Sequence, residues 1–156
     1  MSGSDTWRED AKKWLLDNCG EQWYVWRGQN IEQGHVDCSG LVLEVLKKFK
    51  VLPESFGDVK AQGLSRCFRY TRSPQVCDLV FYGKDWNHVT HVMFYVGELG
   101  GYDVEGTWLS YDHCVAGMSG GKKNMSSSWA RIMGAALWVK TSPRYRRDFL
   151  GYRRVE

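Results

Sequence analysis

Residues 36–41 read VDCSGL, and a cysteine in that setting can do chemistry. Cys38 stands between an acid and a serine, with Gly40 close by and an apolar helical run after it. If the helix begins at about Ser39, Cys38 takes its N-cap. Backbone N–H groups there are unpaired, and the helix end carries partial positive charge. Such a place stabilises a thiolate, the reactive form of cysteine. Gly40 keeps the first turn bare for a close approach, and the same N–H groups can hold an oxyanion during acyl transfer. Taken alone, a cysteine at a helix start is more often a small buried residue than a nucleophile. A nucleophile also needs a base. Of the four histidines, His91 opens a run in which Val92, Phe94 and Val96 alternate with Met93 and Tyr95, the pattern of a strand. His88 reads as a residue of the loop before that strand, and His35 as a solvated loop residue.

The elements that must position these residues are legible in outline. Trp7, Ala11, Trp14 and Leu15 recur at helical spacing, Thr6 and Glu9 have capping-box spacing, and Gly20 suits a stop, which predicts a helix over 6–18. Leu41, Val42, Val45, Leu46 and Phe49 line one face of a second helix that starts at or just after Cys38. Lys47, Lys48 and Lys50 sit near its C-terminal end, where the dipole favours them. A short third helix fits within 58–67. The second half changes character: VCDLVFYG, HVMFYVGEL, GYDVEGTWL and AALWVKT are short, β-branched and aromatic, and are broken by Gly, Asn and Asp. They predict antiparallel strands. Helices followed by strands indicate an α+β fold, with N-terminal helices packed on one face of an antiparallel sheet. Without a repeat or a Pro/Ser-rich linker, residues 1–156 read as one domain.

Composition narrows the function classes. At 43% hydrophobic and 25% charged the chain is globular rather than disordered. It lacks an apolar run of bilayer length and an N-terminal apolar signal, so synthesis in the cytoplasm, with no membrane partner, is expected. Five cysteines without a CxxC pair argue against a disulfide framework and give a structural zinc little support. The net charge of +3, concentrated in RYRRDFLGYRRVE and GKKN, suits an anionic polymer or simply a solvated end. GMSGGKKN fails as a phosphate loop on spacing, because Lys123 follows Lys122 where Ser or Thr belongs. Most of the eight tryptophans read as core, with Trp86 and Trp108 candidates for stacking on sugar or peptide. Asn124-Met125-Ser126 matches a glycosylation sequon, which carries no meaning in a chain without a secretory signal.

With its flanks, the cysteine block becomes specific. WYVWRGQNIEQGHVDCSGLV resembles the signature of the NlpC-like cell-wall cysteine peptidases, CDLVFYG their second block, and HVMFYVG the strand that opens with their histidine. His91 follows Cys38 by 53 positions, from residue 38 to residue 91, as the family spacing requires. The resemblance covers about residues 7–150, and the YRRDFLGYRR ending is similar to the close of several phage-borne members. It implies a papain-like core acting on peptidoglycan stem peptides, usually at the γ-D-glutamyl–diamino acid bond, without a cofactor. Cys38 would be nucleophile and His91 base. Tyr24 would lie beside the nucleophile, and Asp37 and Ser39 would help bind the stem peptide's free amine. Arg27 and Cys77 depart from the pattern where glycine is common.

The residue that orients the imidazole is less determined. A triad needs an acceptor for the second ring N–H. Alternation puts Asp103 and Glu105 on one face of the following strand, and Glu105, in VEG, fits the family pattern better. VAGMSGG also resembles that strand; residues 98–114 would then be an insertion, with His113 the orienter or none at all. The expected protein is a monomeric peptidoglycan endopeptidase that reaches the bacterial wall by release or injection, as a phage lysin, a tail enzyme or a delivered effector. The alternatives are an N-acetylmuramoyl-L-alanine amidase or acyltransferase on the same fold, or a basic non-catalytic binding module. Nucleic acid is not an expected partner.

Overall fold

Both N-terminal apolar patterns become helices in the computed structural model of the chain, which describes residues 6–18, 23–24, 29–30, 35–36, 38–102, 105–119 and 136–156. Of residues 23, 24, 29, 30, 35, 36, 119 and 136–138 only the backbone is described. Cys19, Trp26, Arg27, Asp37, Asp103, the GKKN loop and the sequon at Asn124 lie outside the described residues. Helix α1 spans Thr6–Asp17 and buries Ala11 and Leu15. It ends where Asn18 turns both its backbone N–H and its side-chain amide onto the Trp14 carbonyl, at 3.1 and 2.8 Å. Helix α2 spans Cys38–Lys48, with Ser39 to Leu43, Val45 and Leu46 buried. It stops at Lys50, whose φ of 63° is left-handed. Helix α3 spans Ala61–Ser65.

The strands are β1 (Trp23–Tyr24), β2 (Gln29–Asn30), β3 (His35–Val36), β4 (Arg69–Thr71), β5 (Leu79–Gly83), β6 (Val89–Tyr102), β7 (Trp108–Ser119), β8 (Ala136–Lys140) and β9 (Phe149–Arg154). Among the described residues they form one sheet in the order β2-β3-β1-β8-β7-β6-β5-β9-β4. The pairs are antiparallel apart from β1 with β3. The class is α+β, as the sequence predicts, although β1–β3 precede α2. GYDVEGTWL is not a strand of its own. Residues 101–102 end β6, the chain turns near Gly106 (φ 83°), and Trp108 begins β7 opposite Tyr102. The RYRRDFLGYRRVE segment is not a solvated tail either: β9 pairs with β5 on one side and β4 on the other.

Every residue of β5 is buried because both sheet faces are covered. Leu79, Phe81, Val92, Phe94 and Ala116 pack with Leu15 of α1, Leu41 and Leu46 of α2 and Leu64 of α3. Val80, Tyr82, Met93, Tyr95 and Val115 form a second cluster closed by Tyr145, Phe149 and Tyr152 of the C-terminal segment. The helices thus cover one face, as expected, and the end of the chain covers the other. Trp86 belongs to the fold, lying against Phe81 and Tyr70 with the Arg153 guanidinium 4.3 Å from its ring.

A single carboxylate ties these parts together. Asp78, the acid of CDLVFY, is fully buried. Its Oδ1 accepts from Arg8 Nη1 at 2.8 Å and the Val155 N–H at 3.0 Å. Its Oδ2 accepts from the Gln75 N–H and Arg154 Nε, both at 2.8 Å. Arg8 also donates to the Val76 and Val155 carbonyls. Cys77, just before, has a left-handed φ of 68°, the conformation that explains why glycine suits this position. Its thiol is buried and pushed up to about 12 by that burial, so it stays protonated and inert. Replacing Asp78 with Asn leaves two guanidiniums without their counter-charge. A loss of about 3–5 kcal/mol in urea-denaturation stability is expected; a loss under about 1 kcal/mol would show that the clamp does not hold the fold.

Candidate active site

Cys38 is the first residue of α2, one position earlier than a start at Ser39 would give, and is half-buried against the main core. The N-terminal residues of an α-helix have no intrahelical acceptor for their N–H groups. The thiol therefore sits where backbone donors and the helix dipole favour a negative sulfur. Ser39 is buried beside it. Tyr24 lies on β1, paired with Val36 of β3 two residues before the cysteine. Asp37 is outside the described residues.

His91 lies on β6, on which α2 packs. Cys38 follows β3, which stands four strands from β6 in the sheet order. His35 pairs with Trp23, Trp23 with Ala136, and Ala136 with Ser119. The β6–β7 pairing begins at Phe94 opposite Ala116. The ring itself shares a strand face with Met93 and Tyr95, while Val92, Phe94 and Val96 face the helices. It is 6% exposed, lies 5.4 Å from the Tyr82 ring, and has Nε2 3.1 Å from Tyr145 Oη. Burial, reinforced by the Arg146 guanidinium and partly offset by Asp148, lowers its pKa to about 3. His91 is therefore a neutral imidazole at physiological pH. A ring lowered this far forms no resting ion pair with a thiolate and takes up a proton only against the cost of its burial. Arg146 and Asp148 are themselves joined through two hydrogen bonds of 3.0 and 2.8 Å. Tyr82 Oη, fully buried beside the ring, has no hydrogen-bond partner among the described residues.

Glu105 does not orient His91. It is exposed in the turn between β6 and β7, at the far end of a strand in which Tyr102 lies eleven residues beyond His91. At roughly 3.3 Å per residue that is on the order of 30 Å. The long hairpin, with register shifts around Gly97, agrees with residues 98–114 extending the shorter strand pair that VAGMSGG suggests. Asp103 lies outside the described residues. His113, on β7, has Nδ1 2.8 Å from Tyr95 Oη and serves that phenol instead. His88 is an exposed loop residue whose Nδ1 lies 2.8 Å from Asp85 Oδ1. The neighbour that sequence reasoning missed is Tyr145. It lies 54 positions from His91 in a segment read as a basic tail, and no spacing rule points to it. Among the described residues no group of three His, Cys, Asp or Glu could hold a metal ion, and no helix is long and apolar enough to cross a membrane.

An α+β sheet with a cysteine at a helix mouth and a buried imidazole on the strands beneath has the parts of a papain-like cysteine hydrolase. The NlpC/P60 family pattern matches residues 21–115, more than half of the chain, and the chain belongs to that family. It is a family of peptidoglycan-hydrolysing cysteine peptidases, so the protein is by family a cell-wall peptidase. Comparison with curated proteins finds no match. The matched span holds Cys38, the CDLVFY strand and His91, and stops in β7; β8, β9 and Tyr145 lie beyond it.

The depressed His91 pKa carries a sign. The unfolded ring, with a pKa near 6.5, takes up a proton that the folded ring refuses. Stability therefore falls as pH drops from about 6.5 toward 3, by up to about 1.4 kcal/mol per unit. Between pH 6 and 4 the wild type should lose stability more steeply than His91→Gln, by about 1 kcal/mol per pH unit in denaturant titrations. Equal slopes would mean that the ring is solvated.

Proposed function

We propose that the protein is an endopeptidase of peptidoglycan stem peptides that cuts the γ-D-glutamyl–diamino acid bond with Cys38 as nucleophile and His91 as base. What supports the reading is the family match over residues 21–115 together with Cys38 as the opening residue of α2. The His91 ring lies on the face of β6 turned away from the helices, so catalysis by this pair requires its imidazole to reach the sulfur around the end of the strand. The Cys38 sulfur attacks the scissile carbonyl as its proton passes to His91. The oxyanion is met by N–H groups at the mouth of α2. His91 then gives the proton to the leaving amine, and a thioester remains. Water, losing a proton to His91, attacks the thioester; the acid departs and the thiol is restored. Tyr24, Asp37 and Ser39 surround the free amine of the stem. The enzyme acts as a monomer at the bacterial wall after release or injection, in the manner of a phage lysin, tail enzyme or effector.

Purified sacculi and defined muropeptides test this by mass spectrometry. The expected products are stem peptides cut after D-glutamate, and Cys38→Ala should lower their release by at least about 1,000-fold. Stems freed whole from the sugar would instead identify an amidase, and intact muropeptides with folded wild-type protein would refute hydrolysis. Alkylation gives an independent readout. Cys38 should react faster than the exposed Cys67. Cys77 and Cys114, whose thiols burial pushes up, should stay unlabelled.

A further inference from the structure

A histidine that serves as a base must keep one tautomer and one orientation, which the partner of its other nitrogen sets. Glu105, in the turn between β6 and β7, is too distant to do this, and His113 is committed to Tyr95. Tyr145 places its phenol oxygen 3.1 Å from His91 Nε2. We propose that Tyr145 is the positioning residue of His91, accepting the Nε2–H and leaving Nδ1 as the basic nitrogen. The inference rests on His91 being the base of the reaction proposed above.

The bond that the phenol donates supports that direction. A phenol has one hydrogen and two acceptor sites. The hydrogen is directed to Met93 Sδ at 3.0 Å. With its hydrogen directed to Met93, the oxygen meets His91 Nε2 as an acceptor. The same pattern survives catalysis. An imidazolium donates from both nitrogens, so protonation of Nδ1 requires no change at Nε2.

The phenol is also held in place. Tyr145 closes a short 3₁₀ turn, Pro143–Tyr145, capped by Ser142, whose Oγ accepts the Arg144 N–H at 3.1 Å. Its ring stands edge-on to Tyr82 at 5.6 Å, with Lys140 Nζ 5.4 Å from its centre. Among the described residues, the groups near the imidazole include Tyr82 from β5, Met93 from its own strand, and Tyr145, Arg146 and Asp148 from the C-terminal return. Tyr145 lies outside the span matched to the family, so it is this chain's return across the sheet that delivers the phenol.

Tyr145→Phe keeps the ring and removes the oxygen. It should lower kcat on a muropeptide about 10- to 100-fold, with KM within about twofold and little change in thermal midpoint. Nitrogen-15 NMR of labelled histidine gives a readout that a merely structural role would not move. His91 should carry its hydrogen on Nε2 in the wild type and become a tautomer mixture in Tyr145→Phe. Met93→Leu, a volume-conserving change, frees the phenol hydrogen to turn toward Nε2. It should shift the tautomer likewise, and it decides the matter if Tyr145→Phe does not fold. An unchanged tautomer in both variants overturns the proposal, as does full kcat in Tyr145→Phe. Cys38→Ala and His91→Ala separate the two levels. If they abolish cleavage while Tyr145→Phe does not, the positioning role alone fails; if they leave cleavage intact, the catalytic pair fails, while the NMR still reports on Tyr145.

Discussion

The fold depends on one buried charge. Asp78 has no exposed surface, and an isolated carboxylate in such a place would be strongly disfavoured. It is tolerated because its two oxygens receive two guanidinium groups and two backbone N–H groups drawn from α1, the turn before β5 and the end of β9. The charge cannot be buried until these parts are together, and once they are together little else satisfies it. The carboxylate therefore selects one arrangement of the first helix, the central strand and the closing strand. That arrangement fixes the register of β5 against β9, and with it the C-terminal segment over the second face of the sheet.

Covering both faces has a chemical effect as well as a structural one. A sheet with one solvated face would leave His91 in water with an ordinary pKa. Here Tyr145, Phe149 and Tyr152 enclose the second cluster, and the ring is left among aromatic groups and close to the Arg146–Asp148 pair. The imidazole is held neutral by removal from water more than by any single charge. Burial of this kind costs stability in acid and weakens the ring as a proton acceptor.

The legible parts of the molecule were those specified locally. α1 and α2 follow from apolar residues at helical spacing, and the start of α2 came within one residue because VDCSGL combines a cap position with the onset of an apolar run. The Cys38 and His91 blocks were legible as motifs. The orienting residue was not, because strand alternation says which residues share a face and nothing about how far a hairpin extends. Glu105 satisfied the face and lay at the wrong end. β9 was hidden for a different reason. Its arginines read as a solvated tail, yet Arg154 serves Asp78, and Arg153 stacks on Trp86 while donating to the Phe68 carbonyl. Long cationic side chains can be consumed by the fold through partners that are remote in sequence.

The contact between Arg8 and the Val155 carbonyl spans 147 positions. Closing so large a loop delays the moment at which native contacts begin to reward the ordering of the chain. A nascent polypeptide can form α1 and α2 early, but β5 remains without its β9 neighbour until residue 154 has left the ribosome. The order of biosynthesis thus keeps the second face of the sheet, and the imidazole on it, open to water until residues 145–154 have followed.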